Sequence, residues 1–416
     1  MKRKCFAIVL LVVVFILPTP LIIESSAADA TIRIGMTGPF TGPSAEAGIG
    51  GKQGVQLAAD EWNAAGGISI DGKRLKIELY FEDTQSKPEV GVSVAEKLIA
   101  RDKVHFLFGD SFNSSVSLAV MELAPKSKIP ISTIQCVSKE ISNKIRKNPQ
   151  RYARFFKSIF DSDAYGYQVA DTFKYLIDKR RISPKSKTIA FVVEDTDYGR
   201  SNTEVIKQEF EKIGWKASAT ETVPLGHTDF YPQLSKIKTL NPDVMVTCFV
   251  ALASGVAFVK QFQELALNSA HLAIYYPIRT EFIEQAGKAA EFLLWTPLFF
   301  DPESNPGQKQ FAEKIRVKFN VKPSFDQLYA YDIMNNAMDS IKRAGTLAPD
   351  KIIAEYSKLD RVGILGRYVF GKDDHTMKFG EGYLALPTGQ IMERRNYVIW
   401  PDKNKRKDFV PQPWVK

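Results

Sequence analysis

Four glycines, Gly48, Gly50, Gly51 and Gly54, stand where an opening strand and loop give way to a helix. Phosphate-cradling loops are built at such places. A dinucleotide fingerprint would need glycine at position 53, which is Gln53. A P-loop would need glycine at position 46 and a hydroxyl residue after Gly51-Lys52, but Glu46 and Gln53 stand there. These glycines are therefore expected to serve close packing of the loop and helix. The histidines His105, His227, His271 and His375 show no metal-ligand spacing and no cysteine partners. Ser111 lies in Gly-Asp-Ser-Phe-Asn, which is no nucleophile elbow. The adjacent acids Glu82-Asp83 and Asp373-Asp374 would point to opposite faces of an extended segment and form no catalytic dyad. The expectation is a protein that is no enzyme and has no cofactor and no metal.

The elements around these residues repeat a simple beat. Ile32 to Met36 reads as a strand, followed by the turn-rich Thr37-Gly38-Pro39-Phe40-Thr41-Gly42-Pro43. Val55, Ala58, Ala59, Trp62 and Ala65 form one stripe of a helix over Gly51–Ala65, and Gly66-Gly67 ends it. Leu75, Ile77, Leu79 and Phe81 alternate as a strand, and Pro88 opens a helix reaching Arg101. Val104–Phe108 is the next strand, Ser114–Leu123 a helix and Ile131–Ile134 a short strand. After a break near 138–158 the pattern resumes. Helices are expected over Ala164–Asp178, Thr203–Ile213, Asp229 onward and Ser254–Leu265. Strands are expected over Thr188–Val193, Ala217–Val223, Val244–Val250 and Leu272–Tyr276. Thr188–Val193 is apolar throughout, as in a parallel strand covered on both faces. Helices at Asn305–Phe319 and Phe325–Ala344 precede β-like pieces at Arg367–Phe370, Gly382–Leu386 and Tyr397–Trp400. This is an α/β chain of two successive, mainly parallel bodies, with loops after strands as the natural ligand seat.

Residues 1–30 read as a secretory signal: Lys2, Arg3 and Lys4, then the apolar Phe6–Leu17, then Ala28-Asp29-Ala30 before a cleavage site after Ala28 or Ala30. Cys5 precedes the apolar run and cannot be a lipoprotein cysteine. The remaining length exceeds one ordinary core, so two domains are expected. The chain carries +9 at pH 7, and its bases are scattered except for Lys403 to Lys407. Without an aromatic–basic stripe, that charge reads as a solvated surface and not as a nucleic-acid site. Cys136 and Cys248 are expected as two buried thiols in different lobes.

Taken in order, Ile34-Gly35-Met36-Thr37-Gly38-Pro39-Phe40-Thr41-Gly42, Gly54-Val55-Gln56-Leu57-Ala58 through Asn63-Ala64-Ala65-Gly66-Gly67-Ile68, Asp195-Thr196-Asp197-Tyr198-Gly199, and Asp229-Phe230 with Leu234, Ile237, Lys238 and Pro242-Asp243 carry a resemblance. The chain resembles the substrate-binding proteins of branched-chain amino-acid ABC transporters, the leucine/isoleucine/valine-binding type. The resemblance implies a type I periplasmic-binding-protein fold. Two similar lobes, each a mainly parallel sheet flanked by helices, are joined by a three-segment hinge. The lobes would comprise 31–158 plus about 298–378, and 159–297 plus about 379–416. It also implies a periplasmic monomer that grips a small molecule between its lobes and hands it to a membrane permease. A sensor delivering its ligand-bound form to a signalling receptor, and an extracytoplasmic enzyme on the same fold, remain alternatives.

The same resemblance points to Asn113, Ser114 and Ser115 as small polar residues for a ligand carboxylate, with Ser114 also readable as an ordinary N-cap. It places Ile134-Gln135-Cys136 at the next strand end, with a thiol where a threonine is expected, and Tyr198 as a cover from the second lobe. Expected tyrosines align with Ala47 and Val250. The expected acid for a ligand ammonium falls in Pro277-Ile278-Arg279-Thr280, where the charged residue is Arg279; a slip of alignment by a residue or two would let Glu281 serve and restore an amino-acid ligand. An unpaired buried ammonium costs several kcal/mol. The expected ligand is thus a partly apolar carboxylate without an α-amino group, or an amide-like molecule.

Overall fold

The computed structural model describes residues 31–297, 299–303 and 305–415. The expected secretion signal lies outside them. The first lobe begins with β1 (Ile32–Gly38), α1 (Ala45–Ala64), the hairpin β2 (Ile68–Ile70) and β3 (Lys73–Leu75), β4 (Ile77–Asp83), α2 (Pro88–Ala100), β5 (Phe106–Phe108), α3 (Ser114–Val120), β6 (Ile131–Ser132), α4 (Lys139–Lys147) and β7 (Phe155–Phe156). Its sheet has the order β4-β1-β5-β6-β7 and is parallel throughout. The chain then crosses to α5 (Asp163–Asp178), β8 (Thr188–Glu194), α6 (Asp197–Lys212), β9 (Lys216–Val223), α7 (Tyr231–Leu240), β10 (Val244–Cys248), α8 (Leu252–Glu264), β11 (Ala270–Ile274), α9 (Thr280–Ala286) and β12 (Leu294–Thr296). It returns to the first lobe as α10 (Pro306–Phe319), α11 (Phe325–Ala344), α12 (Pro349–Ser357) and the hairpin β13 (Asp360–Val362) and β14 (Arg367–Val369). A third crossing adds β15 (Thr388–Met392) and β16 (Arg395–Trp400) to the second sheet, whose order is β16-β15-β12-β11-β10-β8-β9.

Each sheet is central and apolar because helices cover both faces. In β8, Ile189 to Glu194 are all buried, in register with β10 from Val244↔Ile189 to Cys248↔Val193. Helix α11 closes the first lobe against α1. Gly50 and Gly54 of α1 make that approach possible: a Cβ on Gly54 would lie 2.0 Å from the Gln327 carbonyl oxygen and one on Gly50 2.9 Å from Asp326 Cβ, while one on Gly48 would lie 2.0 Å from the Pro39 carbonyl oxygen in the preceding loop. Trp62 Nε1 donates to Asn335 Oδ1 at 2.9 Å across the same contact.

The first crossing carries a buried lysine. Lys157 Nζ donates to the carbonyl oxygens of Val137 at 2.8 Å and Ser138 at 3.0 Å and pairs with Asp161. The amide of Lys157 donates to His375 O, and the amide of Met377 donates to Lys157 O, so the first and third crossings are bonded to each other.

Several boundaries differ from the sequence expectation. The segment 138–158, read as a break, holds α4 and β7; α4 is strongly amphipathic, but its four bases mask the buried Ile141 and Ile145. Helix α1 starts six residues early and α6 starts at Asp197, because the N-cap Thr196 accepts from Gly199 N at 3.0 Å. Gly382–Leu386 forms no strand beyond a single bridge between Leu384 and Phe379. No helix among the described residues is long and apolar enough to cross a membrane.

Candidate functional site

The carboxyl ends of β5, β6, β8, β10 and β11 converge on a cavity of about 280 Å³ between the two sheets, the position at which open α/β sheets bind ligands. The first lobe contributes Phe112, Asn113, Ser114 and Ser115 after β5, Gln135 and Val137 after β6, and Phe325 from the first turn of α11. Ile159 and Phe160 come from the first crossing. The second lobe contributes Tyr165 from α5, Asp195, Thr196 and Tyr198 after β8, Leu225, Val250 and Tyr275, and Phe299 comes from the second crossing, after β12. Aromatic and aliphatic side chains make most of the wall. Polar atoms gather where Asn113, Ser114 and Ser115 begin α3. Ser117 N makes the helix's first bond, to Asn113 O at 2.9 Å, so the amides before it have no partner within the helix.

Three buried carboxylates brace this wall. Asp110, at the end of β5, holds the 111–113 loop from beneath: its Oδ1 accepts from Phe112 N at 2.6 Å and Asn113 N at 2.5 Å, and Oδ2 accepts from Thr84 Oγ1 at 3.2 Å. Burial pushes its pKa up to about 7. Glu194, at the end of β8, accepts from Gly226 N at 2.9 Å and Ser254 Oγ at 2.7 Å on one oxygen, and from Val250 N at 2.5 Å and Ala251 N at 3.2 Å on the other. Burial raises its pKa. Asp326 accepts the hydroxyl of Tyr275 and faces Arg279, whose Nε lies 3.7 Å from Oδ2. Burial raises the pKa of Asp326 too. Tyr275 itself sits at φ 74°, a left-handed conformation costly for a side chain of this size.

Of the residues expected at the site, Asn113, Ser114, Gln135 and Tyr198 stand on the cavity wall. Ser114 Oγ accepts from Ser138 N at 3.2 Å and retains its own proton to donate. The Tyr198 hydroxyl is buried with no hydrogen-bond partner in good geometry, beside Tyr165. Ile134, Cys136 and Arg279 are not on the wall. Side chains alternate along the extended 134–137 segment, so Gln135 and Val137 face the cavity while Ile134 and Cys136 face the core. Cys136 Sγ approaches Asp110 O at 3.6 Å. Arg279 lies behind the rings of Phe112 and Tyr275. Both Cys136 and Cys248 are buried and free. Ala47 packs in the core. Sequence reasoning missed the aromatic wall. Its visible signal was an aromatic residue just past a strand end, as at Phe112 and Tyr275.

No group of three or more His, Cys, Asp or Glu among the described residues could hold a metal ion. The only charged side chain on the wall among the described residues is Asp195, which is exposed and paired with Arg200.

A cavity shared by two lobes at the carboxyl ends of their parallel strands defines a solute-binding protein. The family model described as "Periplasmic binding protein" matches residues 31–384, and the chain belongs to that family. It is 27% identical over 337 residues to the Leu/Ile/Val-binding protein homolog 1 of Brucella melitensis, covering 79% of this chain and 82% of the relative. Among solved structures, it is similar to the branched-chain amino acid transporter substrate binding protein LivJ of Streptococcus pneumoniae in complex with isoleucine, with TM-score 0.73, 22% identity and 88% and 98% of the two chains covered. It is also similar to the solute binding protein of an R. palustris ABC transporter in complex with benzoate, with TM-score 0.76, 16% identity and 93% and 99% covered.

Proposed function

We propose that this protein is the extracytoplasmic solute-binding component of an ABC importer, and that its ligand is a small, partly apolar carboxylate without an α-ammonium group. In this reading residues 1–30 are a cleaved export signal. Residues 31–158 with about 298–378, and 159–297 with about 379–416, are the two lobes of a periplasmic monomer. The ligand-bound form delivers its cargo unchanged to a membrane permease. The names of the relatives support the transport role.

One observation carries the ligand class: the wall is mostly aromatic and aliphatic, and the three carboxylates buried around it are already engaged. Asp110 and Glu194 accept protein donors, and Asp326 faces Tyr275 and Arg279. An ammonium buried here would compete with those donors, and an unpaired buried charge costs several kcal/mol. A carboxylate finds the hydroxyls of Ser114 and Ser115, the side-chain NH2 of Asn113 and the first-turn amides of α3. The volume lies at the small end of metabolite pockets, which span roughly 300–1,000 Å³. The relative holding benzoate shows that this fold accepts an aromatic acid. Calorimetric titration of the purified protein with aromatic acids, aliphatic acids and amino acids tests the reading. Benzoate-like or branched aliphatic acids should bind more tightly than leucine; micromolar or tighter leucine binding would overturn it.

A further inference from the structure

Arg279 and Asp326 form a buried ion pair contributed by opposite lobes: Arg279 follows β11 in the second lobe, and Asp326 is the second residue of α11 in the first. Both side chains are 2% exposed. Arg279 Nη1 donates to Val250 O at 3.2 Å, whereas Nε and Nη2 have no hydrogen-bond partner. At 3.7 Å, Asp326 is too far for a hydrogen bond to Nε, and the Tyr275 hydroxyl already occupies its other oxygen. The pair is therefore loose, and the Glu46 and Glu281 carboxylates add to the field at Arg279 without bonding its Nε or Nη2. The guanidinium carbon lies 5.5 Å from the centroid of the Tyr275 ring and 5.8 Å from that of Phe112. Both rings line the cavity.

We propose that Arg279 is a specificity-determining residue: its charge, acting through the rings of Phe112 and Tyr275, favours anionic ligands and disfavours ammonium-bearing ones, and Asp326 tempers that field. Arg279 is itself buried, so its charge is screened far less than it would be at the surface. Arg279 acts without touching the ligand. It supplies from the protein the cation that pairs with the acid of the facing lobe. This inference rests on the ligand reading above and explains how the site would enforce it.

The test compares ligands that differ only in the α-ammonium group: 4-methylpentanoate with leucine, and 3-phenylpropanoate with phenylalanine. Dissociation constants are measured by calorimetry on wild type, Arg279→Met, Arg279→Lys and Asp326→Asn. The readout is the ratio of the amino-acid Kd to the Kd of its deamino partner. Arg279→Met removes the charge at similar length and should lower the ratio about tenfold or more. Arg279→Lys keeps the charge and should hold the ratio near wild type. Asp326→Asn removes the tempering acid and should raise it. If Arg279→Met does not fold, Asp326→Asn decides alone, because its ratio must rise. Ratios that stay unchanged in Arg279→Met and Asp326→Asn, or that move the other way, overturn the role of Arg279 and leave the ligand reading standing. A wild type that prefers the amino acids overturns the ligand reading, and one that binds none of the four overturns both.

Discussion

Replacing Glu194 by glutamine leaves the shape of the side chain and removes half of its accepting capacity. The carboxylate now serves four donors from three segments: Gly226 N, Val250 N, Ala251 N and Ser254 Oγ. A glutamine offers one acceptor oxygen and turns an NH2 toward two of those donors. If the oxygen keeps Val250 and Ala251, the Ser254 hydroxyl can rotate to accept from the NH2, but the amide of Gly226 cannot. One buried amide orphaned costs about 1–3 kcal/mol. Removing a carboxylate that burial disfavours returns part of this. The expected net loss is about 2 kcal/mol, confined to the second lobe. Four of the five tryptophans, Trp215, Trp295, Trp400 and Trp414, lie in that lobe's segment of the chain and Trp62 in the other, so tryptophan emission during urea unfolding follows mainly the second lobe, and Trp62→Phe removes the remaining signal. Ligand affinity should fall too, since Leu225 and Val250 carry part of the wall and sit beside the braced amides. Ser254→Ala should cost about 1 kcal/mol alone and less in the glutamine background, because the two share one network. A change below about 0.5 kcal/mol, or strict additivity of the pair, would refute the view that Glu194 holds these loops together.

Gly54→Ala places a methyl 2.0 Å from the Gln327 carbonyl oxygen and should cost about 3 kcal/mol or more in thermal unfolding, whereas Gly72→Ala, with open space but φ 78°, should cost about 1 kcal/mol. Asp110 keeps its proton in the folded chain up to about pH 7, while the unfolded chain loses it near 3.8. Its contribution to stability is therefore fully present below the unfolded pKa and is lost as pH rises toward 7, by about 4 kcal/mol at most; Asp110→Asn should flatten that slope in unfolding measured from pH 4 to 7. The proton fits on Oδ2, facing Thr84, without disturbing the two amides on Oδ1. Tyr198→Phe removes a buried hydroxyl that has no protein acceptor in good geometry and keeps the ring on the wall, so stability should stay within about 0.5 kcal/mol and the Kd of a bound acid should change less than about threefold; a larger rise in Kd would show that the hydroxyl reaches the ligand.

The α/β alternation was legible because burial on both faces writes continuous apolar runs such as Ile189–Val193, and because glycine and proline punctuate the helices of the first lobe. The resemblance added the pairing of the lobes. Helix α4 stayed hidden because its charge conceals a narrow apolar stripe. The polar end of the cavity, Asn113 and Ser114, was legible as small residues opening a helix after a strand. The choice of Gln135 over its neighbours depends on the parity of an extended segment, which sequence leaves open by one residue. The brace residues could not be read at all. Asp110, Glu194 and Asp326 look like ordinary acids near strand or helix ends, and only their enclosure and their donors distinguish them. Arg279 stood out as a charge in an unexpected place, but its counter-ion lies 47 residues away and in the other lobe.

The bond pair through Lys157 to His375 and Met377 makes two of the three interlobe passages a narrow ribbon, anchored at one side by an ammonium fastened to Val137, Ser138 and Asp161. A ribbon flexes easily across its flat face and strongly resists sliding along its length. Motion between the halves is thereby channelled into a rocking about a line through the ribbon, like a book turning on its spine. Ile159 and Phe160 follow Lys157 by two and three residues, so any such rocking shifts them least, whereas Phe112 and Tyr198, carried by opposite lobes, change their separation.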